Sequence, residues 1–293
     1  MEESVAQRDE LDHHGAETRH DDLGTRDAHK AAQSAFFDRA DLAEFEVERP
    51  LGSPALYRFL LREKFRRSLE PFNGDIKGWT ALTICGGSGM DAEFLVDAGA
   101  SVISSDLSLG AADRVRQRMR RHGISVTPIV ADAEHLPFAD RSVDLVYVHD
   151  GLHHLEDPSA GISEMARVAR HAVCISEPAQ AVATAIGIRL GLAVDREEAG
   201  NRVARLQLGP TTSALKANGF QIIRADRYAM YYHHVPGPLT HFLSGRLLLP
   251  IAVLAWRIAN RIVGRFGNKL TIVAVRQSNQ AHCSRRTRDR AAA

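Results

Sequence analysis

Residues Cys85-Gly86-Gly87-Ser88-Gly89 lie between a short apolar run, Ala81 to Ile84, and a helix-patterned segment that stops at Gly99. A glycine turn of this kind joins a strand to a helix in very little space and lets backbone approach a ligand, because no Cβ intrudes. Asp106 comes 17 residues after Gly89, at the end of the next apolar run, Ser101 to Ser105. A carboxylate at that place can accept hydrogen bonds from two ribose hydroxyls. Strand, glycine turn, helix, strand and acid in this order demand a parallel sheet and point to a ribosyl cofactor.

The rest of the chain repeats the alternation. Further strands are expected at Val126 to Val130, Val143 to Val148 and Ala172 to Ser176, with helices at Leu56 to Leu69, after Ser108, and from Pro158 to Arg170. Ser108 reads as an N-cap, and the arginines at 114, 116, 118, 120 and 121 read as the wetter faces of its helix. Five such alternations predict an α/β fold, a doubly wound sheet with helices on both faces. Phe220 to Arg224 and Leu270 to Arg276 supply a sixth and a seventh strand. An insertion lies between them, holding Tyr231-Tyr232-His233-His234 and an apolar helical stretch from 239 to 263.

Boundaries follow from composition. Residues 1–33 are polar and aperiodic, and we read them as a disordered tail with four solvated histidines. Residues 34–74 form a helical segment, 75–276 the main domain, with 228–268 as a cap over the substrate, and 277–293 a basic tail. The three cysteines, Cys85, Cys174 and Cys283, form no CxxC pair, so no metal site is expected and a reducing cytoplasm is. No secretory signal is read at the N-terminus. The net charge of +1 gives no reason to expect nucleic acid. Leu247 to Trp256 is about half the roughly 20 residues that a spanning helix needs. Residues 242–263 are apolar around most of their circumference, which leaves core, dimer contact, acceptor tunnel and shallow lipid contact all open, and the oligomeric state unread.

Residues 87–92 also satisfy G-x-G-x-x-A, the fingerprint of nicotinamide and flavin binders. Against that stands Asp132-Ala133-Glu134-His135-Leu136-Pro137-Phe138, where an acid can receive the amine of adenine between apolar walls. A dinucleotide enzyme has no standard need of that element.

Together with Ser105-Asp106-Leu107-Ser108, Ser142 to Tyr147 and Leu152-His153-His154-Leu155-Glu156-Asp157-Pro158, these residues resemble class I S-adenosylmethionine-dependent methyltransferases. Within these, the similarity is to the small-molecule subgroup that includes ubiquinone and menaquinone methyltransferases. The resemblance covers residues 75 to 178. It implies a Rossmann-like seven-stranded sheet of order 3-2-1-4-5-7-6 with an antiparallel last strand, S-adenosyl-L-methionine as cofactor, and a small-molecule, hydrophobic acceptor.

Carried onto this chain, the resemblance puts Cys85, Gly87 and Gly89 beside the ribose and methionine portion, Asp106 on the ribose hydroxyls and Leu107 against adenine. Asp132 and the Ala133 amide fall on the adenine edge and His149 at the methionine end. Candidate bases for the acceptor are His149 and Asp150 and, foremost, His153 and His154. Two positions depart from the family. Thr83 stands where an acid is usual, and Cys85 where glycine is, so Cys85 would be strained if that position needs a positive φ. A non-catalytic cofactor-binding or partner-binding relative is the alternative this raises. A nicotinamide-dependent oxidoreductase is the more distant one.

Overall fold

The computed structural model describes residues 28–39, 53–181, 205–230 and 236–277, with the isolated positions 184 and 189. A first helix, α1, occupies 28–39. It is succeeded by α2 (Ala55–Leu69), β1 (Thr80–Ile84), α3 (Met90–Asp97), β2 (Ser101–Asp106), α4 (Leu109–His122) and β3 (Val126–Val130). Next come β4 (Val143–His149), α5 (Pro158–Val168) and β5 (Ala169–Pro178). The chain continues through α6 (Leu208–Ala217), β6 (Phe220–Tyr228), α7 (Pro238–Leu243), α8 (Leu248–Val263) and β7 (Lys269–Arg276).

The sheet has the order β3-β2-β1-β4-β5-β7-β6. Strands β1 to β5 are parallel, and β7 runs antiparallel to both β5 and β6. The fold expected from the alternation and from the family resemblance is therefore the fold present. Pro128 lies on β3 at the sheet edge, where a missing N–H breaks no ladder bond. The central strands are apolar on both faces because helices cover both. Leu82, Ile84, Val146 and Val148 pack toward α5. Ala81, Leu145 and Tyr147 pack toward α2 and α3 around Phe65 and Leu95.

Three expectations are corrected. First, α1 begins at residue 28, inside the segment read as a polar tail; polar contacts with the ends of β2 and β3 hold it there. Second, the apolar stretch 239–263 is two helices rather than one. Pro250 would clash with the carbonyl four residues earlier in a continuous helix, and here it stands in the first turn of α8 after a break at Ser244 to Leu247. Third, Arg118 is fully buried instead of wet. It stands three residues after Val115 and seven after Ala111, on the inward stripe of α4. The N-cap reading of Ser108 holds, since its Oγ accepts the Ala111 N–H at 2.9 Å. Tyr231 to His234, residues 1–27 and the tail after 277 lie outside the described residues.

The helical insertion is fastened at its root. Asn260 Oδ1 accepts the Ala229 N–H at 2.7 Å, Trp256 Nε1 donates to the Ala229 carbonyl at 3.1 Å, and Arg227 donates to the Gly267 carbonyl. A Cβ on Gly267 would lie 1.9 Å from the Tyr228 carbonyl carbon, so the return into β7 closes against β6 backbone. We predict that Gly267→Ala destabilises the protein by about 1–3 kcal/mol through overpacking. A lowered denaturant midpoint with unchanged slope is the expected result.

Candidate active site at the carboxyl ends of the parallel strands

The turn after β1 is held by the neighbouring strand β2. The Gly86 N–H donates to the Ser105 carbonyl at 2.9 Å, and a Cβ there would meet Ser104 Oγ at 2.5 Å and Thr83 Oγ1 at 2.8 Å. Cys85 takes φ +52°, the left-handed region that costs a side chain about 1–3 kcal/mol. The strain anticipated for Cys85 is real. Its thiol pKa is pushed up, first by withdrawal from water and then by the nearby carboxylates, so it stays a thiol. Gly87 and Gly89 also have positive φ, and a Cβ on Gly87 would meet nothing within 4 Å. That amide borders open space, which suits a cradle for a ligand.

Asp106 faces this turn from the end of β2. One carboxylate oxygen accepts the Gly87 N–H at 2.9 Å and the other the Ser108 N–H at 2.9 Å. Withdrawal from water raises its pKa, while the two N–H donors and Arg114 act against that rise. Asp132, beyond β3, accepts the Glu134 N–H at 2.9 Å and the Lys30 ammonium at 2.7 Å. Ala133 is buried beside it, and Leu107, next to Asp106 in the chain, is half-buried.

Helix α1 lies across these same strand ends. Lys30 also pairs with Glu134 at 2.8 Å, Ser34 Oγ donates to the Leu107 carbonyl at 3.4 Å, and Asp38 accepts from Ser108 Oγ at 2.6 Å and the Gly110 N–H at 2.8 Å. Phe37 meets the His154 ring edge-on at 5.5 Å. Sequence reasoning missed this cover because α1 shows no apolar periodicity strong enough to mark it.

On the other side of β1, the loop after β4 meets the turn directly, and a Cβ on Gly151 would lie 2.4 Å from the Cys85 Cβ. His149 closes β4 and is buried under Phe65, their rings stacked at 4.5 Å. Its pKa lies well below the usual value, chiefly because burial disfavours the cation, so the ring is neutral. Asp150 is gripped by Lys64 and by Lys269 at 2.8 Å. Burial would raise its pKa, but the two ammonium groups outweigh it and hold the carboxyl well below the usual range. An acid so held is a poor proton acceptor. His153 Nδ1 lies 2.8 Å from Glu177 Oε2, and Glu177 Oε1 accepts the Gly151 and Leu152 N–H groups, each at 2.7 Å. His154 packs on His153 with ring centroids 4.2 Å apart.

The candidates therefore converge on one end of the sheet. Thr83 does not join them, because it is fully buried within the sheet and its hydroxyl donates to Ser104 Oγ at 3.2 Å. Three groups that the sequence did not single out help build the site. Glu177 anchors His153, Lys30 covers Asp132, and Arg118 donates to the Ser88 carbonyl at 2.7 Å while pairing with Glu93. Arg118 was findable from its place on the stripe; Lys30 and Glu177 had no local signal. A separate cleft of about 1150 Å³ lies between α2 and α3, lined by Arg62, Glu63, Arg66 and Glu93 among others, and does not include the glycine turn.

Sheet order, glycine turn and paired acids are those expected of a class I methyltransferase domain, and the family model described as a methyltransferase domain matches residues 82–174. Among similar proteins, demethylmenaquinone methyltransferase of Corynebacterium urealyticum is 37% identical over 111 residues, 38% of this chain and 44% of the relative. The enzyme of the same name from Renibacterium salmoninarum is 35% identical over 107 residues, 36% of this chain and 44% of the relative. The matched segment thus spans less than half of either. In structure, magnesium protoporphyrin IX methyltransferase from Synechocystis PCC 6803 aligns with a TM-score of 0.57 at 18% identity, over 85% of this chain and 100% of its own. The cyclase SpnF aligns at 0.53 and 18% identity, over 81% and 87%. One fold thus carries names of different chemistries, so activity must be argued from the site.

Asp91, in the first turn of α3, offers a test of the electrostatics. It is buried, one of its oxygens has no hydrogen-bond partner, and burial raises its pKa to about 7. A carboxyl raised in the folded state stays protonated where the unfolded chain is already ionised. It therefore costs nothing below pH ~4 and an increasing amount up to pH ~7. Asp91→Asn should gain thermal stability over the parent as pH rises from 4 to 7, by roughly 2–4 °C for each kcal/mol relieved. A difference in melting temperature that does not change with pH would contradict the buried, raised carboxyl.

Proposed function

We propose that the protein is an S-adenosylmethionine-dependent methyltransferase acting on a small, hydrophobic acceptor. The observation that carries this reading is the Asp106 carboxylate, fastened to the Gly87 N–H across the turn in a sheet of this order. Each carboxylate oxygen uses one lone pair on a backbone N–H and keeps another for a ribose hydroxyl. Bound there, the cofactor would supply an electrophilic methyl group. Gly87 and Gly89 would border its ribose and methionine portion, Leu107 would pack on adenine, and Asp132 with the Ala133 amide would take the adenine edge. The open space at Gly87 and the half-buried Asp106 and Asp132 fit such a group. The demethylmenaquinone methyltransferases similar to residues in this domain support a quinone-type acceptor.

Proton removal from the acceptor falls to His153. Its Nδ1 lies 2.8 Å from Glu177 Oε2, so a buried carboxylate orients the ring and would stabilise the imidazolium formed when it takes a proton. His154, between the tilted His153 ring and the edge-on Phe37 ring, would shape the wall beside it. Asp150 serves position rather than proton transfer, since Lys64 and Lys269 hold it charged.

Calorimetric titration of the full chain with S-adenosylhomocysteine tests the reading, and absence of binding at millimolar ligand would refute it. Asp106→Ala should weaken binding by about 1–3 kcal/mol. His153→Gln should leave that affinity unchanged and lower the rate of methyl transfer to a quinol acceptor by about 10²–10⁴-fold. A variant with full turnover would remove His153 from the mechanism.

A further inference from the structure

Helix α8 presents an apolar face to solvent. Leu247 is 82% exposed, Ile251 63%, Leu254 58%, Ile258 50% and Ile262 69%. At roughly 3.6 residues per turn these five fall on one stripe about 22 Å long. Phe242 and Leu239 on α7 and Phe266 after α8 extend it, each also more than half exposed. The stripe cannot turn inward, because the opposite face of α8 is already committed. Leu249, Ala252, Val253 and Trp256 pack on Leu56, Leu60, Tyr228 and Met230, and Asn260 is bonded to Ala229.

The surroundings of the stripe are cationic. Arg246, Arg257, Arg261 and Arg265 are exposed along it. Between Asp226 and Asp289 the sequence has no aspartate or glutamate, in a chain whose net charge is only +1. The basic charge is therefore segregated onto the part of the chain that holds this helix. A second copy of the chain would bring the same cationic surface against itself, which like-charge repulsion opposes. No described helix is long and apolar enough to cross a membrane. An amphipathic helix with an apolar outer face and an arginine border, too short to span, is the chemistry of an interfacial anchor.

We infer that α8, with α7 and the turn at Phe266, is a docking surface for an anionic lipid bilayer, the stripe entering the acyl boundary and the arginines meeting headgroups. The insertion leaves the sheet at Tyr228 and returns at Lys269, which pairs with Pro178 at the carboxyl end of β5. The surface thus stands at the end of the sheet that carries the candidate site, and a hydrophobic acceptor could reach that site from the lipid.

Vesicle cosedimentation of the full chain, without cofactor, tests this. Vesicles of equal parts phosphatidylcholine and phosphatidylglycerol should bind the protein, pure phosphatidylcholine far less, and added salt should weaken the binding. Arg261→Gln and Arg265→Gln should each reduce partitioning on the order of fivefold. The triple variant Ile251→Ser, Leu254→Ser, Ile258→Ser should lose binding while keeping the parent melting temperature, because all three side chains face water. Protein remaining in the supernatant with the mixed vesicles, or a triple variant that still binds them, would overturn the inference. So would a dimer in sedimentation equilibrium that the triple variant disperses. These readouts need no methyl transfer, so their failure leaves the cofactor proposal standing, and a failed cofactor titration leaves them interpretable.

Discussion

The carboxylate of Asp106 holds two backbone N–H groups at once, that of Gly87 leaving β1 and that of Ser108 entering α4. Two successive strand-to-helix connections are thereby tied at one point, on neighbouring strands of the sheet. Around that point the backbone has little freedom. Gly86 is pressed against Ser104 and Thr83, and Gly151 against Cys85. Cys85 remains in a left-handed conformation because both neighbours fix it there. The free lone pairs of Asp106 and the open side of Gly87 are what this arrangement leaves for a ligand.

Charge placed inside the protein serves the same end of the sheet. Arg118 reaches from α4 to the Ser88 carbonyl and Glu93, bracing the turn from below. Lys64 and Lys269 bring α2 and β7 onto Asp150, which itself has φ +50°. Glu177 draws the Gly151 and Leu152 amides and His153 to the end of β5. Buried ion pairs add little net stability, and losing one partner is costly. Their effect here is to make the loops after β1, β4 and β5 take one arrangement relative to each other.

Helix α1 lies over this end of the sheet with polar contacts to Asp132, Leu107 and Ser108. The α7–α8 insertion packs an apolar root on α2 and the end of β6 and leaves its other face to solvent.

Strand and helix periods, the glycine turn and Asp106 were legible in the amino-acid sequence, because each is a local signal whose partners lie within a few tens of residues. So were the N-cap at Ser108 and the strain at Cys85, which arise from side-chain chemistry at a known backbone position. The sheet order came from the family resemblance of the ordered motifs. Only the tertiary structure decided that Arg118 is buried, that Lys30 reaches Asp132 across 102 residues, and that Asp150 is clamped by lysines 86 residues before it and 119 after it. It also decided that the apolar stretch after 238 breaks into two helices with one face inward and one outward. The reason is physical: periodicity reports which residues avoid water, whereas the pairing of buried charges and the choice of covered face depend on which distant elements arrive beside them.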